Sequence, residues 1–112
     1  MLTATEHMNR NLKIAGSMLE LIGEIPLVRL NRIGTHTGCE ILVKPEFLNP
    51  SGSMKDRVAL RMVEEAEAAG RLTPGSRMVE STTGNTGAAL AFVAAVKGYD
   101  FTAFVPADVA DG

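Results

Sequence analysis

Two short stretches of this sequence hold the residue types that covalent and anion-binding chemistry requires. The first is NPSGSMKDR, residues 49–57, a turn that runs into an amphipathic helix and places Lys55 in the helix's first turn. Unpaired N–H groups and the macrodipole make that end of a helix positive, so acids are preferred there and an ammonium is out of place. The dipole, together with desolvation against Met54 and the glycine-bearing turn, favours the neutral amine. A neutral lysine amine can attack a carbonyl carbon and form a Schiff base. Gly52 leaves room for a flat group to lie against the backbone. The ordinary alternative is a surface lysine whose long stem clears the helix end and carries its charge into water.

The second stretch is ESTTGNTG, residues 80–87, set between a strand and an apolar helix. Backbone N–H groups at such a helix start can face an anion. Gly84 and Gly87 permit close backbone approach, Ser81, Thr82, Thr83 and Thr86 supply hydroxyls, and Asn85 supplies an amide that both donates and accepts. None of these side chains is charged, so the loop would hold a carboxylate or phosphate through hydrogen bonds and the dipole. The same residues also suit a hydroxyl-rich cap on a buried helix, with Thr83 or Asn85 as the N-cap. No Gly-Lys-Ser/Thr follows, which separates the loop from the Walker type.

The elements that must position these stretches are legible from periodicity. Residues 1–17 carry little pattern and read as a weakly structured arm. Met18–Ile22 makes one helical turn before Gly23, PLVRL alternates as an extended run, and EILVKPEF reads as a strand that Pro45 pushes to its end or to an edge. From Met54 to Ala69 the spacing is helical: Met54, Val58, Met62 and Ala66 recur every four residues with Ala59, Val63 and Ala69 beside them. Asp56, Arg57, Arg61, Glu64, Glu65 and Glu67 take the other face, Ser53 and Asp56 have capping-box spacing, and Gly70 is a natural stop. After the turn TPGS, the strand RMVEST, the helix GNTGAALAFVAAVKG and the strand DFTAFVP form a βαβ unit. Such a unit implies a parallel sheet, a right-handed crossover and a central helix buried on several sides.

Composition excludes several classes of function. A chain of 112 residues is one domain at most, able to bury roughly two thirds of its extended surface. With 46% apolar and 21% charged residues it is an ordinary globular sequence, and a formal net charge of −2 provides no basic face for nucleic acid. No apolar run is long enough for a membrane span, and polar residues precede any apolar core at the N-terminus, unlike a secretory signal. Cys39 is the single cysteine, which points to a reducing cytoplasm, and no histidine is placed to activate it. His7 and His36 lack ligand-like spacing, so no metal site is expected.

Taken together, IGEIPLVRLNRIG, ILVKPEFLNPSGSMKDR and LTPGSRMVESTTGNTGAALAFVAAVKGY closely resemble the start of the cysteine synthase and cystathionine β-synthase family. These are pyridoxal-phosphate enzymes of the tryptophan-synthase-β-like fold, fold type II. The resemblance runs from about Leu19 to Pro106. It implies an α/β fold class, here part of a three-layer parallel-sheet domain, over residues 18–112. By the same resemblance Lys55 matches the lysine that binds pyridoxal phosphate as a Schiff base and later acts as a base. Asn85 matches the asparagine that hydrogen-bonds the cofactor's ring hydroxyl oxygen. Thr82, Thr83, Gly84, Asn85 and Thr86 match the loop that grips the substrate carboxylate.

The implied reaction is β-replacement on a serine derivative through an α-aminoacrylate, in the manner of a cysteine synthase using O-acetylserine and sulfide. Cystathionine β-synthase and diaminopropionate synthase share the lysine motif and are the nearest alternatives, and a truncated non-catalytic remnant of the family is a further one. The implied partners are a small amino-acid substrate and, for a full-length protein, a second copy in a homodimer, with no nucleic acid and no membrane. The sequence departs from the family pattern at Glu24 and Ile25, where Asn-Thr is usual, at Ser81, where proline or alanine is common, and at Thr83, where serine is usual. The family's cofactor-phosphate loop and pyridine-nitrogen contact lie far downstream. The 112 residues are therefore expected to be the N-terminal part of a longer catalytic fold and inactive, or nearly so, alone.

Overall fold

A computed structural model describes residues 14–108 of the chain, so most of the expected N-terminal arm lies outside the described residues. The first element is a single 3-10 turn, Met18–Leu21, capped by the Ser17 hydroxyl, which accepts the Leu19 N–H at 3.2 Å. Gly23 then takes φ +82°, a left-handed conformation that glycine adopts without steric penalty. Strand β1 (Val28–Arg29) pairs antiparallel with β2 (Leu42–Val43). Both are shorter than the alternation predicts. Lys44 and Pro45 fall outside β2, and Glu46–Leu48 form another 3-10 turn, because proline supplies no N–H to continue a ladder.

Helix α1 (Lys55–Ala68) and helix α2 (Asn85–Lys97) flank strand β3 (Arg77–Ser81), and β4 (Asp100–Phe104) follows. Strands β3 and β4 are parallel, with Arg77 opposite Asp100 and Ser81 opposite Phe104, so the β3–α2–β4 segment is the βαβ unit that the sequence predicts. Two glycine stops are also as expected. After α1, Gly70 (φ +67°) donates to the Glu67 carbonyl and Arg71 to the Ala66 carbonyl, the paired bonds of a Schellman motif. After α2, Gly98 takes φ +80° and donates to the Ala94 carbonyl.

The core consists of Ala59 and Val63 from α1 and Ala89, Leu90 and Val93 from α2, with Met78, Tyr99 and Phe101 packed against it. This corrects two expectations. The four-residue row Met54, Val58, Met62 is largely exposed, and the buried stripe of α1 runs instead through Asp56, Ala59 and Val63. Small side chains let α1 approach α2 closely along that stripe, which the bulkier methionine row would prevent. Helix α2 buries one face only. Ala88, Ala91, Ala95 and Val96 are exposed, because α1 and two strands cover a single side of it. No helix among the described residues is long and apolar enough to cross a membrane.

A polar clamp fastens the far ends of the helices. Lys97 Nζ lies 2.8 Å from Glu67 Oε2, and the Tyr99 hydroxyl donates to Glu67 Oε1 at 2.8 Å. Hydrogen bonds from Lys97 and Tyr99 hold the Glu67 carboxyl below its usual range, and the same contact raises the Tyr99 hydroxyl. A carboxyl lowered in the folded state adds stability above its unfolded value and loses it as pH falls through the folded value. The Tm difference between the wild type and Glu67→Gln should therefore be constant near neutrality and shrink below about pH 4.5, the ordinary glutamate value. Thermal unfolding of both proteins across that range checks this.

Candidate active site

Lys55 is the first residue of α1, and the turn before it is closed by the Gly52 N–H donating to the Asn49 carbonyl at 2.8 Å with Gly52 at φ +92°. The Ser53 hydroxyl accepts the Lys55 backbone N–H at 3.1 Å. The expected reciprocal box between Ser53 and Asp56 does not form. Asp56 turns back over the loop instead, accepting the Ser51 N–H at 2.8 Å and the Ser51 hydroxyl with its other oxygen. The entry turn is tight enough that the Ser53 hydroxyl meets the N–H two residues on, and the carboxylate finds two donors on Ser51. Lys55 is half-buried, and among the described residues its ammonium forms no ion pair.

A second network was not legible beforehand. Arg57 reaches Glu46 with Nε to Oε2 and Nη2 to Oε1, both at 3.1 Å, and Nη2 also donates to the Gly23 carbonyl at 3.1 Å. Buried Asn49 donates to Glu46 Oε2 at 2.7 Å and accepts the Gly23 N–H at 2.9 Å. The hydrogen bonds from Arg57 hold the Glu46 carboxyl below its usual range, with Asn49 and the Arg57 and Lys44 charges adding to them against partial desolvation. A Cβ at Gly23 would stand 2.7 Å from Arg57 Nη1, so a side chain there would push the guanidinium out of the frame. The network ties residues 23, 46, 49 and 57 into one frame behind the lysine. Its signal in the sequence was the Asn49 to Arg57 run itself, in which Arg57 reads only as a surface residue of α1.

The hydroxyl loop folds into the start of α2. Gly84 occupies the N-cap position, and the cap is made by Thr82, whose Oγ1 accepts the Gly87 N–H at 3.0 Å and, more weakly, the Gly84 N–H at 3.5 Å. Thr83 and Asn85, the residues expected to cap, are exposed and free of that task. Thr82 also explains Gly87, where a Cβ would lie 2.6 Å from Thr82 Cγ2. The Thr82 N–H bonds the Phe104 carbonyl at 3.0 Å, which anchors the loop to the end of β4. The Asn85 and Thr86 backbone N–H groups have no partner among the described residues, and a Cβ at Gly84 would meet nothing within 4 Å.

The two stretches start the two helices at the same end. Glu67 and Lys97 touch near the C-termini of α1 and α2 and are separated by 30 residues in sequence. The same separation relates Ala59 to Ala89 and Val63 to Val93 in the shared core. It also relates Lys55 to Asn85, the first residue of each helix. With their C-terminal ends in contact and both helices packed on one core, α1 and α2 run in the same general direction, and each first residue lies about 18 Å along its own helix from the clamp, at 1.5 Å per residue. An amine and an uncharged, hydroxyl-rich helix start share one end of the helix pair.

A cavity of about 190 Å³ lies elsewhere, under α1 against the sheet, among Met62, Val63, Met78, Leu90 and Phe101. Its lining is mainly apolar, with Arg77 and Glu80 as its charged members, and it includes neither Lys55 nor any of residues 82–86, so it is a packing feature apart from the site. Among the described residues no three His, Cys, Asp or Glu side chains gather as a metal site requires, and Cys39 is exposed in the loop between β1 and β2.

Comparisons with known proteins agree on the ancestry of this arrangement. The family described as pyridoxal-phosphate dependent enzyme matches residues 18–112. Cystathionine beta-synthase of Oryctolagus cuniculus is 55% identical over 89 residues, covering 78% of this chain and 16% of the rabbit protein. Cysteine synthase 1 of Neurospora crassa is 53% identical over 93 residues, covering 83% of this chain and 25% of its own length. The crystal structure of an O-ureido-L-serine synthase superposes with a TM-score of 0.81 at 46% identity, over 88% of this chain and 31% of that one. The chain thus spans a quarter or less of the two curated relatives and about a third of the solved one.

Proposed function

The chain belongs to the pyridoxal-phosphate dependent enzyme family, and from that premise we propose that its protein carries out β-replacement on a serine derivative, forming cysteine from O-acetylserine and sulfide. The observation that carries the reading is the common end shared by Lys55 and the Thr82–Thr86 loop on two helices that run in the same general direction.

The residues present fit the cofactor. Lys55 has no ion-pair partner among the described residues, and Gly52 and Gly84 leave open space where a side chain would stand. Lys55 would hold the aldehyde carbon and Asn85 the ring hydroxyl oxygen. Pyridoxal phosphate, when bound, supplies a ring that accepts electron density from the substrate's α-carbon. The rest falls to the chain's own groups. The two unpartnered N–H groups of Asn85 and Thr86, with the hydroxyls of Thr83 and Thr86, bind the substrate carboxylate. Thr82 spends an acceptor lone pair on the Gly87 N–H and keeps its O–H proton for the same anion. Held this way, the substrate would present its α-proton to Lys55, whose amine acts as general base once the substrate's own amine has taken its place on the aldehyde carbon. The open Gly84 lets the loop close on the carboxylate and exclude water.

A second reading is favoured by the rabbit relative: the same site with serine and homocysteine as substrates, as in a cystathionine β-synthase. Product analysis separates the two. Cofactor-loaded protein should release cysteine from O-acetylserine plus sulfide, and cystathionine should be the lesser product from serine plus homocysteine. A reversed preference selects the second reading. Protein that binds cofactor and yields neither product overturns both.

A further inference from the structure

Asp56 is 0% exposed, stands next to the reactive lysine, and is absent from the mechanism above. A buried carboxylate is costly unless its oxygens are hydrogen-bonded, and both oxygens here are taken by one residue, Ser51, through its N–H at 2.8 Å and its hydroxyl. Among the described residues no cation pairs with it. Ser51 lies across the turn from α1, between Asn49, whose carbonyl closes the turn, and Ser53, whose hydroxyl holds the Lys55 N–H. The bond from Asp56 therefore shuts the loop onto the helix's first turn, and Arg57, one residue further on, ties the same turn to Glu46 and Gly23. Lys55 immediately precedes both fastened residues in the chain.

We infer that Asp56, latched to Ser51, is a positioning residue for Lys55: it fixes the backbone from which the amine reaches the cofactor aldehyde. This rests on the role proposed for Lys55. The latch resists two motions, fraying of the helix start and lifting of the NPSGS turn, either of which would swing the lysine stem away from the loop before α2. The carboxylate suits the place for a second reason, since an acid in the first turn of a helix is stabilised by the dipole. Asparagine at position 56 can keep both contacts, its carbonyl oxygen accepting the Ser51 N–H and its amide donating to the Ser51 hydroxyl. Alanine keeps neither.

The test uses the full chain and two readouts. In hydrogen exchange without cofactor, Asp56→Ala should speed exchange at the Ser51 and Lys55 amides at least about tenfold, the consequence of losing both hydrogen bonds to Ser51, while amides around Val63 stay protected. In capture by pyridoxal phosphate followed by borohydride and peptide mapping, Asp56→Ala should slow tagging of Lys55 by about tenfold, with Asp56→Asn within about threefold of wild type. If Asp56→Ala does not fold, Ser51→Ala removes only the hydroxyl contact and should give a loss of about threefold in both readouts. Tagging undiminished in the alanine variant, or exchange raised equally along all of α1, overturns the inference. A wild type that takes no tag on Lys55 overturns the proposed function, and this inference with it. A tagged wild type with an indifferent Asp56→Ala overturns this inference alone.

Discussion

Replacing Lys55 with alanine abolishes the pyridoxyl tag and lowers any β-replacement rate by about two to four orders of magnitude, the scale associated with a lost general base. The fold should be indifferent to the change. Lys55 has no ion-pair partner among the described residues, and α1 keeps its buried stripe and its Schellman stop without it. Circular dichroism and Tm close to those of wild type, together with a missing visible absorbance on mixing with pyridoxal phosphate, would be the expected pair of results. Lys55→Arg makes the stricter control. It retains a cation at the helix start but cannot shed its proton to attack an aldehyde, so it should fail as completely as alanine. A tag recovered on Lys44 or Lys97 would move the chemistry away from this end of the helices.

The second large effect is expected at Gly87. Glycine within a helix usually costs about 1 kcal/mol relative to alanine, so propensity alone predicts that Gly87→Ala stabilises α2. The structure predicts the reverse. The new Cβ would stand 2.6 Å from Thr82 Cγ2 and 3.3 Å from Thr82 Oγ1, so Thr82 must leave. With it goes the bond to the Gly87 N–H that caps the helix. Overpacking costs about 1–3 kcal/mol and a lost cap about 1 kcal/mol, enough for a clear fall in Tm. Substrate affinity should fall further than stability if the displaced Thr82 acts in the carboxylate loop as proposed. Thr82→Ser in the same background removes the nearest methyl while keeping the hydroxyl, and should recover part of both losses. A Gly87→Ala protein more stable than wild type would show that the cap is not built this way.

Element order was largely readable from the sequence, and the reasons are local. Gly70 and Gly98 end helices where periodicity stops, TPGS closes with Ser76 N–H to Thr73 carbonyl at 2.9 Å, and RMVES and DFTAF pair in the register a βαβ unit requires. Burial was less legible, because it depends on which neighbour arrives. Periodicity could identify an apolar row on α1 but could not distinguish Met54–Val58–Met62 from Ala59–Val63, and the smaller row faces α2. Capping was legible only in part: Ser53 does hold the Lys55 N–H, but Asp56 turns to Ser51 instead of completing a box, and at α2 the cap falls to Thr82 rather than to Thr83 or Asn85. At the site, the lysine and the loop were visible as separate stretches. Their placement at one end of a helix pair required Glu67, Lys97 and the core contacts, residues that carry no mark of function in the sequence.

The shared direction of the two helices has a consequence for how this segment tolerates insertions and deletions. Each residue added within a helix turns everything beyond it by about 100° and shifts it by about 1.5 Å. One residue inserted in α1 between Ala59 and Glu67 would leave the clamp intact yet turn Lys55 by about 100° relative to the start of α2. The TPGS turn is not under that constraint, since residues looped out there would leave both helix registers unchanged. Length variation in this region should therefore gather in the stretch after Gly70, while the distance in sequence from Lys55 to the clamp stays fixed.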